Sequence, residues 1–374
     1  MPAMNEITSV VKRAAQEAGF ELAGVAPVRD FAELSYFPQW IANGHAGEMK
    51  YLETRDDAGR LKRESLSAAA PWARSVVVCA INYNTAQPYS TQVNDAWRGW
   101  ISRYAWSRED YHHSVLRKLR VIEERLLKGA GSEQAQASSS AGGSLQLCSG
   151  RAPKLQTRSY VDTGPIVERV YAKYAGVGWI GKNTCVLNQK MGSWLFLGVI
   201  LTSLELVPDL PAPDRCGTCT RCLDACPTQA FLAPYQLDAN KCISYLTIEK
   251  RGAVPEELRS GMGRHVFGCD ICQDICPWNR KAPATRAPEF QPREGLVNPA
   301  LAWLAEMEAE EFRETFRGSP VRRAKLSGLR RNAVIAMGNS GNREFVPTLE
   351  KLREDEDAIV AESATWALGK IEER

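Results

Sequence analysis

No stretch of the chain is apolar for the ~18 residues that a membrane helix requires. The longest such run, Trp194 to Leu201, has the length of a strand. Histidine is scarce, with four in 374 residues, and none is placed as a zinc-knuckle ligand. An excess of one charge is also missing. A net charge of +3 excludes a global field for nucleic acid, so any such affinity must come from a local basic patch. The amino-terminal MPAMNEITSVVKRAAQEAG lacks the apolar segment of a secretion signal. It reads instead as an amphipathic helix with Ile7, Val10, Val11, Ala14 and Ala18 on one stripe. A cytoplasmic protein with no membrane association is therefore expected. The remaining composition, 44% hydrophobic and 24% charged, is that of a globular chain long enough for about two or three domains.

Cysteine is what the chain does have. Seven of its eleven cysteines fall in two tight runs, and in a reducing compartment such runs bind metal. The first is Cys216-x2-Cys219-x2-Cys222-x3-Cys226-Pro227. The second is Cys269-x2-Cys272-x3-Cys276-Pro277, with Cys242 upstream. Thiolates are soft ligands, and these spacings let three sulfurs reach one [4Fe–4S] cubane while the Cys-Pro cysteine turns away. In two-cluster bacterial ferredoxins that fourth cysteine ligates the other cluster. The expected sets are therefore Cys216, Cys219, Cys222 and Cys276, and Cys242, Cys269, Cys272 and Cys226. The alternative is a pair of zinc knuckles, but those prefer paired CxxC units and often include histidine. Of the rest, Cys79 reads as a core residue, Cys148 as incidental, and Cys185 as a packing residue with the option of lining a pocket.

The chain divides into an α+β region over 1–206, a cluster module over 207–292 and a helical region over 293–374. Ser75 to Tyr83 is a short β-branched apolar run expected to be a buried strand. Tyr111 to Lys128 carries Val115, Leu119, Ile122 and Leu126 on one helical face. Residues 129–153, poor in large apolar side chains, read as a flexible insertion. The proline-rich Val207 to Pro213 marks the first boundary. In the tail, Ala333-x-x-Ala336-Met337-Gly338 recurs as Ala364-x-x-Ala367-Leu368-Gly369, with a helix over Val346 to Leu352 between them. A short HEAT-like array fits this period, and so do two unrelated amphipathic helices.

Electrons leaving two clusters need an acceptor. Gly176-Val-Gly178-Trp-Ile-Gly181 matches a dinucleotide fingerprint only superficially, since no clear strand precedes it and no acid follows at the usual distance. It reads as a glycine-rich turn close to a ligand. No Asp-x-His-x-x-Gly signature of a histidine-ligated cobalamin is present. Tyr160-Val-Asp162-Thr-Gly-Pro-Ile-Val-Glu168-Arg169 places an acid between an apparent strand and a Gly-Pro turn, where an isolated Asp is ordinarily a turn former.

Taken together these segments resemble the epoxyqueuosine reductases of tRNA queuosine modification. The matching pieces are Tyr51-Leu52-Glu53 before a basic segment, Asn82-Tyr83, Val161-Asp162-Thr163-Gly164-Pro165 and Gly178-Trp179-Ile180-Gly181-Lys182-Asn183-Thr184. They continue through Cys216 to Pro227, Asp238 to Glu249, and Cys269 to Asn279. The resemblance covers nearly the whole chain apart from 129–153. The usual Gly-Arg-Asp-Tyr-His segment appears with an extra residue, as Ser107-Arg-Glu-Asp110-Tyr111-His112.

The resemblance implies a nitroreductase-like catalytic domain holding cobalamin, related to reductive dehalogenases and without a protein histidine on cobalt. It further implies a ferredoxin-like domain that reduces the cofactor, and a substrate epoxide at the wobble base of a tRNA anticodon stem-loop. Asp162 becomes the proton donor, with Asp110 and Tyr83 as further candidates for the pocket. Arg60, Asn183, Thr184, Ser244 and Tyr245 are carried over as cobalamin contacts. An external electron donor and a monomeric state are expected. Arg317 to Arg331 carries six basic side chains and no acid. Arg322, Arg323, Lys325, Arg330 and Arg331 are accordingly expected on tRNA phosphates, against the alternative of a solvated helix face. Two rival functions stay open at this point. One is a reductive dehalogenase-like small-molecule reductase, and the other an electron-transfer or corrinoid-reactivating protein.

Overall fold

The computed structural model describes residues 2–139 and 155–373. Strands Leu22–Pro27, Ser75–Asn82, Leu195–Thr202 and Thr157–Tyr160 hydrogen-bond in that order into one antiparallel sheet. Ser75–Asn82 is buried at every position, because both faces of the sheet are covered. Val77, Cys79 and Ile81 meet the helices Pro2–Glu17 and Tyr111–Ser139. The alternate residues Val76, Val78 and Ala80 pack on the other side against the helix Glu168–Tyr174. Period-2 alternation thus sends one β-branched run into two cores.

Val115, Leu119, Ile122 and Leu126 are all buried along the long helix, as their spacing requires. The first helix departs from expectation at one residue. Val11, Ala14 and Ala15 are buried, while Val10 is 44% exposed; a residue beside Val11 in sequence sits about 100° round the helix from it. The helix that begins at Tyr111 also continues to Ser139, so the backbone of the first part of the supposed insertion is helical. Glu133, Gln134, Ala135 and Ala137 are good helix formers. The rest of that segment, 140–153 with Cys148, lies outside the described residues.

The cysteine-rich region is built from short helices, Arg221–Asp224, Ile243–Ile248 and Ile271–Asp274, and a hairpin of Phe231–Ala233 with Gln236–Leu237. The tail is helical over Lys325–Ser340, Val346–Arg353 and Ala358–Glu372. The two copies of the small-residue repeat face each other there, Gly338 against Ala367.

These regions share cores. Trp100–Ile101 pairs in parallel with His265–Phe267, and Trp100, Ile101 and Trp106 are buried among the tail residues Leu304, Phe316 and Ala333. Buried Asp270 accepts from Trp100 Nε1 at 3.0 Å, Ser102 Oγ at 2.5 Å and the Arg103 amide at 2.8 Å. The acceptor-only carboxylate therefore locks the cysteine region onto the sheet domain. Among the described residues no helix is long and apolar enough to cross a membrane.

Candidate active site

A cavity of about 1200 Å³ opens where the sheet domain meets the cysteine region. That exceeds the roughly 300–1,000 Å³ of ordinary small-molecule pockets. Its walls are largely aromatic and apolar, including Trp40, Tyr83, Tyr104, Tyr111, Trp179 and Phe196. Among the described residues no histidine lines it.

Asp162 stands at its edge, in the turn between strand Thr157–Tyr160 and helix Glu168–Tyr174. Its φ of +58° is left-handed, a region that Asp tolerates better than most residues. Gly164 lets this turn fold tightly, since a Cβ there would lie 2.6 Å from Cγ of Tyr160. The Asp162 carboxylate is 50% exposed and 3.7 Å from His112 Nε2, and it accepts the hydroxyl of Tyr111. Tyr111 is itself held flat, stacked on Phe196 at 4.2 Å.

Asp110 does not line the cavity; it sits behind His112, with Oδ1 2.7 Å from Nδ1. Burial works against its charge, but the ring and backbone N–H of His112 hold it below the ordinary carboxylate range. An ionised Asp110 orients the imidazole and has no proton to give. Tyr83 lines the cavity as a buried ring against Phe196 and Trp194.

Glu168 lies six residues beyond Asp162 and carries no motif of its own. It lines the same cavity, is 7% exposed, and its Oε1 accepts the Asp162 backbone N–H at 2.8 Å. Burial, then the neighbouring charge of Asp162, pushes its carboxyl well above the usual range. The burial that a proton donor needs falls on Glu168 more than on Asp162. No local pattern announces this, because it arises from the packing of the helix start under the turn.

The cysteine side chains stand in two groups. Burial raises Cys222 to about 11, and the thiols that add to this are Cys276, Cys216 and Cys219. Cys276 rises to about 11 likewise, from burial first and then from Cys216 and Cys219 among its neighbours. In the other group Cys269 feels Cys242 and Cys226, and Cys272 feels Cys269 and Cys242. Among the described residues no His, Cys, Asp and Glu side chains converge as they would on a single metal ion. Thiols in two facing groups are the donors that [4Fe–4S] clusters take.

Cys185 lines the cavity and its side chain hydrogen-bonds Cys272, so the second group borders the cavity directly. Trp179 lines the cavity and packs against Cys276 of the first group. Its buried indole N–H has no hydrogen-bond partner among the described residues.

The residues carried over as cofactor contacts divide. Thr184 and Ser244 line the cavity. Asn183 is buried beside it, donating to the Cys272 carbonyl at 3.3 Å and accepting from the Cys185 amide at 3.2 Å. Tyr245 turns away to accept the Glu48 amide at 2.8 Å. Arg60 is exposed and paired with Asp56 at 3.0 Å; the arginine that lines the cavity is Arg63. The glycine-rich segment is a hairpin, Trp179–Ile180 paired with Val186–Leu187. A Cβ at Gly178 would lie 2.4 Å from the Leu187 carbonyl, so that glycine serves hairpin packing.

The basic stretch of the tail divides as well. Arg331 is fully buried and donates to the carbonyls of Leu246, Lys250 and Gly252. Arg330 donates to the Ala305 carbonyl at 2.8 Å and pairs with Asp355 at 2.5 Å. Both are structural, contrary to their expected place on a phosphate-binding surface, because the helix turns them into the interior. Arg323 is held by Glu249 at 2.7 Å, while Arg322 and Lys325 are exposed.

Residues 215–279 match the family described as a 4Fe-4S double cluster binding domain. A double-cluster domain packed against a large aromatic cavity with an acid at its edge defines an iron–sulfur oxidoreductase. Residues 63–163 match the family described as epoxyqueuosine reductase QueG, DUF1730. The chain is 36% identical to an epoxyqueuosine reductase of Xanthomonas campestris over 99% of this chain and 97% of that one. It is 41% identical to that of Synechocystis over 83% and 98%. A solved epoxyqueuosine reductase with an epoxyqueuosine-modified tRNA-Tyr stem loop superposes with a TM-score of 0.80 at 30% identity, covering 98% of this chain and 90% of that one. A Bacillus subtilis epoxyqueuosine reductase whose catalytic loop is swung out of the active site also superposes with a TM-score of 0.80, at 29% identity, over 98% and 90%. The chain belongs to the epoxyqueuosine reductase family.

Proposed function

We propose that this protein reduces epoxyqueuosine to queuosine at the wobble position of tRNA, with Asp162 as proton donor. The observation that carries the reading is the position of Asp162, half-exposed at the edge of a cavity that touches a cysteine group through Cys185. Removing an epoxide oxygen to leave an alkene takes two electrons and two protons and releases water. The electrons come from an external donor through two [4Fe–4S] clusters, held by Cys216, Cys219, Cys222 and Cys276, and by Cys226, Cys242, Cys269 and Cys272. Both sets touch the cavity wall, the second through Cys185 and the first through Trp179.

The size and aromatic walls of the cavity fit cobalamin, with Thr184, Ser244 and Arg63 among its polar contacts. When bound, cobalamin supplies the low-potential reducing centre against which the carbon–oxygen bond breaks. The chain's own contribution is to deliver a proton where negative charge builds on the leaving oxygen. Tyr111 and His112 aim the Asp162 carboxyl, and Asp110 fixes the imidazole. Partly solvated, Asp162 serves both the substrate and the source of its next proton.

The rim offers a grip for RNA. Tyr51 is 47% exposed, with the Arg63 guanidinium 5.9 Å from its ring centre. Arg323 hydrogen-bonds Tyr51 from the tail side. Arg55 and Lys62, near Tyr51 and Arg63 in sequence, and Arg322 and Lys325, near Arg323, are exposed. An unstacked base rests readily on such an aromatic–guanidinium surface, with phosphates on the flanking cations. The tail acts as a HEAT-like buttress for this rim and the sheet domain is nitroreductase-like. The enzyme works as a monomer in the cytoplasm, where tRNA is processed.

The test is anaerobic incubation of reconstituted protein, cobalamin and a low-potential reductant with epoxyqueuosine-bearing stem loop, followed by nucleoside digestion. Queuosine is expected. Unchanged epoxyqueuosine with both clusters reduced would overturn the reading.

A further inference from the structure

The reaction consumes two protons, and Asp162 carries one. Resting on the functional reading above, we propose that Glu168 holds the second proton and passes it to Asp162, so that the pair supplies both protons of one turnover. Glu168 acts through Asp162 and positions it as well, since its Oε1 accepts the Asp162 amide.

The geometry gives Glu168 few other uses. A buried carboxyl is normally paired with a cation or neutralised. The cation facing Glu168 is Arg63, which reaches it only as a through-space charge, while Arg169 points away to the Thr184 carbonyl at 2.6 Å. The closest charged group is the Asp162 carboxylate itself. Two carboxyls side by side with one cation nearby cannot both ionise cheaply, so the buried member keeps its proton whether or not Asp162 has given up its own. Around Asp162 stand Tyr111, His112 and, at longer range, Tyr104. Burial raises Tyr111 well above its ordinary value, which leaves it a hydrogen-bond donor and a poor proton source. Burial favours the neutral form of Glu168, whose proton is thereby kept in the cavity after Asp162 has given up its own.

The proton inventory balances. Asp162–H protonates the opening epoxide oxygen as the carbon–oxygen bond breaks, the two electrons being those that bound cobalamin would supply. Glu168–H then reprotonates Asp162. The second transfer from Asp162 converts the bound alkoxide-derived hydroxyl to departing water as the alkene forms. Both carboxylates recover their protons from solvent along the half-exposed face of Asp162.

Glu168→Gln keeps an acceptor for the Asp162 amide and the side-chain volume, and it cannot release a proton. Single-turnover conversion of the stem loop should fall by roughly a hundredfold, the scale of a lost proton donor, with stem-loop affinity and cluster content unchanged. The fall in rate at high pH should move in this variant, and Glu168→Asp should restore part of both rate and pH dependence. Independently of turnover, infrared difference spectra of the cofactor-free protein should show a protonated carboxyl band at neutral pH that Glu168→Gln removes. A missing band, or wild-type rates in Glu168→Gln across the pH range, would overturn the Glu168 proposal alone. Failure of the wild type to convert epoxyqueuosine, with the band present, would instead overturn the reaction assigned to the cavity.

Discussion

The thiols of residues 216–276 and the guanidinium groups of residues 317–331 meet different fates in the fold. The thiols gather: Cys222 and Cys276 face Cys216 and Cys219, while Cys269 and Cys272 face Cys242. The arginines scatter, with Arg331 inside on backbone carbonyls, Arg330 on Asp355, Arg323 on Glu249 and Arg322 in solvent. The difference is one of chemistry. A thiol in a cluster site has one use, and short spacings with a Cys-Pro turn dictate which thiols meet. A guanidinium has five donors that suit a phosphate or a buried carbonyl equally well. Its role is decided by whatever the helix turns it towards.

The largest effect is expected at the cluster cysteines. Anaerobic protein should carry roughly eight irons, two cubanes. Cys276→Ala should abolish the electron-paramagnetic signal of one cluster, and Cys226→Ala that of the other. If both variants disturb the same cluster, the thiols are not divided as described.

Next in size is Arg331→Ala. It strips a buried charge from the carbonyls of Leu246, Lys250 and Gly252. Denaturant unfolding should show a loss of about 3–5 kcal/mol, with the salt dependence of tRNA binding unmoved in whatever protein remains folded. A flattened slope would place Arg331 on phosphate after all.

The outward pair should behave in the opposite way. Replacing Arg322 and Lys325 together with Ala should leave stability near wild type. It should flatten the log–log salt dependence of stem-loop binding by about two units, near the ~0.9 per phosphate expected of duplex contacts. An unchanged slope would remove the tail from the RNA interface.

The smallest effect concerns pH and stability at Glu168. Its folded pKa is raised by burial, so between the ordinary carboxyl value and that raised value the folded state holds the extra proton. Stability therefore falls as pH rises through this window. Glu168→Gln lacks the penalty, so it should melt above the wild type at neutral pH, and the gap should close at acid pH. A gap independent of pH would mean that Glu168 does not titrate in this way.

Much of the fold is legible in the chain for plain reasons of period. Ser75–Asn82 reads as a doubly buried strand, and the stripe Val115, Leu119, Ile122 and Leu126 as the buried face of a helix. Asp162 is legible as an acid at a strand-to-helix turn, because Gly164 and Pro165 punctuate the sequence there. Glu168 is not, since its burial depends on how the start of a helix packs under that turn. Arg60 and Arg63 are indistinguishable by composition, and only the fold shows that Arg63 faces the cavity while Arg60 pairs with Asp56. Tyr245 and Asn183 sit beside cavity residues in sequence yet spend their polar atoms on Glu48 and on the Cys272 and Cys185 backbone. Residues adjacent in a motif therefore need not share a site.

The most direct measurement is single-turnover conversion of an epoxyqueuosine-bearing stem loop by wild type and Asp162→Asn, both loaded with clusters and cobalamin and reduced beforehand. Mass analysis of the digested nucleosides gives the readout. The nucleoside in the wild-type digest should be lighter by one oxygen atom. Asp162→Asn should give no conversion, with the cluster spectra and stem-loop affinity of the wild type. Conversion by Asp162→Asn at the wild-type rate would contradict this and move the proton donor elsewhere in the cavity.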